Sequence, residues 1–149
     1  PLGRIGVRFG QPRQTRFTPD EQKTLLTLWS IFRSPLILGA ELPSLDEATL
    51  RLLTNRDVLR LNRHSFGARQ IVRDDAHAVW VSQDEDGSRY AALFNLSEKP
   101  REVSLDLREL EGETFACREL WSGEERTAQE TLSCVIEPHG ARLFRCTEC

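Results

Sequence analysis

Leu25-Leu26-Thr27-Leu28-Trp29-Ser30-Ile31-Phe32-Arg33-Ser34-Pro35-Leu36-Ile37-Leu38-Gly39-Ala40-Glu41-Leu42 changes its hydrophobic period halfway along, and the change predicts a helix running into a buried strand. The run is long enough for a membrane span, but Arg33 and Pro35 fall near its middle, where a charge and a proline are costly in lipid. Upstream, Thr18-Pro19-Asp20-Glu21 is a helix start. Thr18 can cap the free N–H groups while Glu21 reaches back, Pro19 suits the first helical position, and Asp20 suits the positive end of the dipole. Leu25, Leu28, Trp29 and Phe32 follow at helical spacing, widened by Leu26 and Ile31, until Ser34-Pro35 stops the helix. Leu36-Ile37-Leu38-Gly39 is apolar without alternation, the pattern of a strand covered on both faces in a parallel sheet.

Beyond this stretch the chain resets at Pro43-Ser44. Ser44-Leu45-Asp46-Glu47 reads as a second capping box, Ala48, Leu52 and Leu53 line the helix after it, and Asn55 caps a short turn from Arg56 to Leu61. Helix, buried strand and helix make one α/β unit, which cannot stand alone: strand 36–39 needs a neighbour on each side. Leaving its backbone groups unpaired would cost a few kcal/mol. The sequence holds no methionine and opens on Pro1-Leu2-Gly3, so we expect a piece of a longer protein whose remaining strands lie upstream.

From Gln70 onward the pattern alternates. Ala78-Val79-Trp80-Val81 and Tyr90-Ala91-Ala92-Leu93-Phe94 flank a polar loop containing Asp86-Gly87, a hairpin signal. Val103, Leu105 and Leu107 alternate with polar residues; 114–121, 131–136 and 141–146 are further strand candidates. Short strands at this spacing predict an antiparallel all-β sandwich. The expected division is 1–65 for the helix-strand-helix segment and 66–149 for the sandwich, with the break near Ser65-Phe66-Gly67.

Composition sets the outer limits. Hydrophobic residues make up 39% and charged residues 29% of 149, as in an ordinary soluble domain. A net charge of -3 argues against nucleic acid, which needs a basic face. Cys117, Cys134, Cys146 and Cys149 could form two disulfides or a zinc site. Only Cys146-x-x-Cys149 has ligand spacing, so we expect partly buried free thiols, no metal and no cofactor, with a lean towards a reducing, cytoplasmic compartment.

The residues carry a resemblance. Leu28 to Leu42 resembles the LWAxxxSPLxxGxDL stretch of glycoside hydrolase family 27, which holds α-galactosidases and α-N-acetylgalactosaminidases. Leu52-Leu53-Thr54-Asn55-Arg56-Asp57-Val58-Leu59-Arg60-Leu61-Asn62 is similar to that family's LLxNxxVIAxNQD stretch. Arg118-Glu119-Leu120-Trp121-Ser122-Gly123 and Pro138-His139-Gly140-Ala141-Arg142-Leu143 resemble its C-terminal sandwich. The sequence departs at Asn62-Arg63-His64-Ser65-Phe66-Gly67, where the family often reads Asn-Gln-Asp-Pro-Leu-Gly, and at Glu41, where Asp is commoner. The resemblance implies the closing segment of a (β/α)₈ barrel followed by the sandwich. It implies a retaining mechanism, with two carboxylates about 5–5.5 Å apart. Both belong to barrel strands before Pro1, so no catalytic residue is carried over and this chain alone is expected to be inactive. Carbohydrate would be bound through those missing strands.

Barrel sites lie at the C-terminal ends of strands, here the loop from Pro1 to Arg8 and Gly39-Ala40-Glu41. Glu41 is the candidate substrate-proximal residue; the alternative is an ion pair with an arginine that orients a loop. Trp80 and Trp121, with Tyr90, could stack on sugar, though aromatics in strands more often build core. Asp74-Asp75 and Asp84-Glu85-Asp86 read as solvated turns. His64 and His77 lack a partner pattern and His139 reads as a turn residue. Arg4, Arg8, Arg13 and Arg16 read as a solvated loop. No membrane contact is expected, and a homo-oligomer stays open, as does a sandwich that only binds carbohydrate or covers the barrel.

Overall fold

The structure is a computed structural model that describes residues 4–5, 13–40 and 42–149. A two-residue strand β1 (Arg4–Ile5) pairs antiparallel with β2 (Arg13–Gln14). Helix α1 (Pro19–Ile31) begins at the expected box: the Thr18 hydroxyl accepts from the Glu21 N–H, and the Glu21 carboxylate accepts from the Thr18 N–H at 2.7 Å. The helix stops where Arg33 turns left-handed at φ 58. That turn aims the Arg33 guanidinium at the carbonyls of Asn62 and Arg63, at 3.2 and 3.1 Å.

The buried face of α1 is not the one expected. Leu26, Thr27, Ser30 and Ile31 are buried, whereas Leu28 and Phe32 are exposed, Phe32 by 56%. The cause is the sandwich, which accepts the polar side of the helix: Thr24 donates to the His139 carbonyl at 2.7 Å and Thr27 accepts from the Trp121 indole at 2.9 Å.

Leu36 to Gly39 is not a strand. It runs without ladder partners among the described residues, and Ile37 is 80% exposed. A strand exists only through a neighbour, and the described residues place none beside it. The next helix, α2 (Glu47–Leu53), is capped by Asp46 rather than by Ser44, with the Thr49 N–H donating to the Asp46 carboxylate at 2.8 Å. Ser44 instead closes a 3-10 turn, Leu42–Ser44, one residue pair too early to cap. Helix α3 (Arg56–His64) is capped by Asn55 as expected. The same Asn55 side chain donates to the Leu120 carbonyl at 2.7 Å, tying the helix to the sandwich.

Eight antiparallel strands follow: β3 (Ser65–Arg73), β4 (His77–Asp84), β5 (Arg89–Asn95), β6 (Arg101–Asp106), β7 (Thr114–Glu119), β8 (Glu125–Gln129), β9 (Thr131–Ile136) and β10 (Ala141–Glu148). Their order is β3-β4-β5-β10-β7-β8-β9-β6. The sheet folds over at Glu130, whose φ of 59 lets β8 and β9 share only the pair Gln129 and Thr131. This brings β6 and β9 against the inner faces of β4, β5, β7 and β10 around Val79, Leu93, Leu105, Phe115, Leu132 and Phe144. Each such Leu or Phe contributes roughly 1.5–3 kcal/mol by leaving water.

A second core lies on the other side of the sheet. Ile31, Val58 and Leu61 from the helices meet Tyr90, Ala92, Phe94 and Leu143. Strands β4, β5 and β10 are thus covered on both faces. That is why 78–81 and 90–94 are continuously apolar and do not alternate, as a one-sided strand would.

Candidate functional site

Chemistry-bearing side chains collect at three places. The first is the junction of α3 with the β4–β5 hairpin. Arg60 grips Asp84 through two hydrogen bonds, 2.9 Å from Nε and 2.7 Å from Nη2. The buried Tyr90 hydroxyl donates to the same carboxylate at 2.6 Å. Arg60 also reaches Asp86 at 3.3 Å; Arg145 pairs with Asp86 and donates from Nε to the Ser88 hydroxyl at 3.0 Å.

The Asp84 side chain is 0% exposed. Asp84 is therefore no solvated turn, because the hairpin folds its carboxylate inward to meet a bidentate guanidinium, the strong form of such a pair. Burial raises its carboxyl, but the hydrogen bonds from Arg60 and Tyr90 outweigh that and hold it at about 2. Burial, and then the bond to Asp84, push the Tyr90 phenol up. A carboxylate held this firmly ionised, with its oxygens occupied, is a structural anchor and a poor proton carrier. Its neighbour Glu85 stays exposed and pairs with His64 at 3.2 Å. Asp74 keeps the turn role read from sequence, accepting from the N–H groups of Ala76 and His77, both at 2.7 Å. His139 is also a turn residue, at φ 55, with its ring 3.1 Å from Glu98.

The second place is the seam between α1 and the sheet, where Trp80 and Trp121 fall. Trp121 is anchored by its bond to Thr27 and packs into the outer core. Trp80 meets Phe32 edge-on, with ring centroids 5.9 Å apart. It lines a groove of about 370 Å³ with Trp29, Phe32, Gln70 and Arg73. Tyr90 is fully buried and unavailable to a ligand. Trp80 and Trp121 are each partly buried, and of the two only Trp80 lines this groove.

The third place is the rim expected to face a substrate. Glu41 lies outside the described residues, as does most of the loop from Pro1 to Arg8; Gly39 and Ala40 are described and form no ladder. Of the four arginines in that region, Arg16 is exposed, Arg8 lies outside the described residues, and only the backbones of Arg4 and Arg13 are placed, in β1 and β2. Among the described residues, no group of three or more His, Cys, Asp or Glu side chains is arranged to hold a metal ion. Among the described residues, Asp106, Glu113 and Glu130 line one open groove of about 410 Å³, where Arg108 pairs with Asp106. The buried Arg60–Asp84–Tyr90 cluster was invisible in the sequence: its members sit 24 and 6 residues apart, and no spacing rule links a helix arginine to a hairpin aspartate.

Residues 74–146 match the alpha galactosidase C-terminal beta sandwich domain. The chain matches the C-terminal part of glycoside hydrolase family 27 proteins. It is similar to alpha-galactosidase D of Emericella nidulans, at 33% identity over 138 residues, which covers 88% of this chain and 21% of that protein. Among solved structures, the family 27 β-L-arabinopyranosidase of Geobacillus stearothermophilus superposes on all of it with a TM-score of 0.95 at 44% identity, using 36% of that chain. A Bacillus halodurans protein, provisionally described as an alpha-N-acetylgalactosaminidase, matches equally well at TM-score 0.95 and 34% identity, over 38% of its length. The chain therefore spans about a fifth to two fifths of these relatives. In this family context the eight strands are the accessory sandwich, and the helices before them are the segment that leads into it.

Proposed function

We propose that this family 27 chain completes the barrel of a retaining glycosidase and supplies its sandwich, while the catalytic carboxylates lie elsewhere in the protein. The observation that carries this reading is the contrast between the two halves. The sandwich is closed around its own core, whereas Leu28, Phe32, Ile37 and Leu42 leave a run of apolar surface beside an unladdered Leu36–Gly39 segment. Large apolar side chains left exposed at several positions of one short segment call for a cover. A preceding parallel strand and its helix would supply both the backbone partners for 36–39 and the apolar contacts. On this reading Glu41 stands at the rim of the site, at the end of the eighth strand.

The relatives support three candidate substrate classes: α-galactosides, α-N-acetylgalactosaminides, and β-L-arabinopyranosides, whose ring has the configuration of an α-galactoside without its hydroxymethyl group. The test is hydrolysis of the three nitrophenyl glycosides by the full-length protein, with the anomer of the first-formed sugar followed by NMR. Cleavage of at least one with retention supports the reading; inversion, or no cleavage of any, overturns it.

A second reading, carbohydrate binding by the sandwich itself, has one observation in its favour. Trp80 flanks a groove in which the side chains of Gln70 and Arg73 make no hydrogen bond or ion pair among the described residues. Calorimetric titration of galactosides into a full-length variant blocked at its catalytic site separates the readings. Heat that disappears on Trp80→Ala supports binding by the groove; no heat leaves the sandwich as a cover for the barrel.

A further inference from the structure

Four cysteines remain outside this account, all free, and two of them meet. Cys117 on β7 and Cys146 on β10 are register partners, and their sulfurs lie 3.1 Å apart. Both are buried in the sandwich core, at 2% and 0% exposure. Directly opposed residues of antiparallel strands have Cα atoms about 4.5–5.5 Å apart. A disulfide needs about 4.4–6.8 Å between Cα atoms and about 2.05 Å between sulfurs. The backbone already satisfies the first requirement, and small side-chain rotations close the second.

The other two cysteines have no such register partner among the thiols. Cys149 follows directly on β10, its N–H continuing the ladder to the Thr114 carbonyl. Three residues along an extended strand separate Cα atoms by about 10 Å, beyond the reach of a disulfide, so Cys146 and Cys149 cannot bridge while β10 is intact. Cys134 on β9 is registered with Val103 instead.

We propose that Cys117 and Cys146 form an oxidation site at which hydrogen peroxide closes a disulfide, stapling the central strand β10 to β7. The Cys117 thiolate attacks the peroxide, breaking the O–O bond and forming a sulfenic acid while hydroxide leaves. The Cys146 sulfur then attacks the Cys117 sulfur, and its proton leaves with the departing oxygen as water. Two thiols are oxidised and one peroxide is reduced to two waters, with Cys117 attacking first. Three features assign the order. The bond shared with Cys146 lowers the Cys117 thiol against the opposing effect of burial, and the Arg126 cation adds to the lowering. The same bond raises Cys146. Cys117 and Arg126 also line one open groove of about 540 Å³, whereas Cys146 does not line it.

The experiment treats reduced full-length protein with hydrogen peroxide, alkylates it after denaturation and maps the peptides by mass spectrometry. The expected product is a Cys117–Cys146 linked pair lighter by two hydrogens. The oxidised protein should melt on the order of 5–10 °C higher, a gain that a thiol reductant reverses. Cys146→Ser should stop the reaction at a Cys117 sulfenic acid that dimedone labels. Cys149→Ser, which removes the exposed thiol, should leave the link unchanged. If the exposed Cys149 is oxidised while Cys117 and Cys146 are both recovered alkylated, or if either is linked to Cys134 or Cys149, the proposal is wrong. The wild-type map decides this even where a cysteine variant does not fold.

Discussion

Replacing Asp84 by Asn removes one charge from a site built around it and leaves its shape intact. Breaking a buried ion pair costs about 3–5 kcal/mol when the surviving charge is stranded. Arg60 is not fully stranded: 36% of its side chain remains in water and Asp86 stays 3.3 Å away. The amide oxygen of Asn can still accept from Tyr90. The expected loss is therefore about 2–3 kcal/mol, a lowering of the melting temperature by roughly 4–12 °C for a domain of this size. Asp84→Ala also orphans the Tyr90 hydroxyl and should cost about 1 kcal/mol more.

The pH dependence makes the test sharper. The Asp84 carboxyl sits at about 2 in the folded chain against an ordinary 3.8, a separation worth about 2 kcal/mol at neutral pH. The folded value is the lower one, so this stabilisation is fully present above about pH 4 and is lost as the pH falls towards 2. Urea unfolding of wild type and Asp84→Asn between pH 7 and pH 2 should show a gap that closes over that window. Glu85→Gln, an exposed change in the same loop, should stay within about 0.5 kcal/mol of wild type throughout. If Asp84→Asn behaves like Glu85→Gln, or its gap persists unchanged at pH 2, the anchor role assigned to this cluster is wrong.

Asn95 is buried and donates to the carbonyls of Lys99, Ile136 and Glu137 while accepting from the Ser97 N–H and hydroxyl. Asn95→Ala should cost about 2–4 kcal/mol by denaturant titration, because it strands groups on two turns. Thr18→Ala breaks the capping box and should cost about 1 kcal/mol, with no change in the sandwich as judged by amide exchange. Trp121→Phe keeps the ring in the outer core and deletes the bond to Thr27, for a loss of about 1–2 kcal/mol in the same titration. Gly87 sits at φ 88, so Gly87→Ala should destabilise the hairpin by about 1 kcal/mol in thermal melts.

Much of the fold could be read from local signals that do not depend on distant contacts. The Thr18–Glu21 box, the Asn55 cap and the hairpin around Gly87 are chosen by a few neighbouring residues, and each forms where expected. Strand β9 occupies the stretch 131–136 read from its residue pattern. Two strands of the sandwich were hidden, as were the short β1 and β2 in a stretch read as a loop. Strand β3 begins at Ser65, before the expected Gln70, because register shifts near Gly67 and Ile71 scramble its period. Strand β8, Glu125 to Gln129, is almost wholly polar, and only Ala128 faces the core. The buried side of α1 and the fate of Leu36–Gly39 depend on what lies alongside them, which local pattern does not encode. The candidate site was legible only in part for the same reason. The grip of Arg60 on Asp84 and the meeting of Cys117 with Cys146 arise from tertiary register, while Trp121 is placed as core by an indole–hydroxyl bond across 94 residues.

We propose that this chain holds the closing segment and sandwich of a family 27 glycosidase but not its catalytic carboxylates. The most direct measurement compares hydrolysis of nitrophenyl α-galactoside, α-N-acetylgalactosaminide and β-L-arabinopyranoside by residues 1–149 and by the full-length protein at equal molarity. Turnover is expected from the full-length protein on at least one substrate and none from residues 1–149. Turnover by residues 1–149 that survives repurification and scales with their concentration would contradict it.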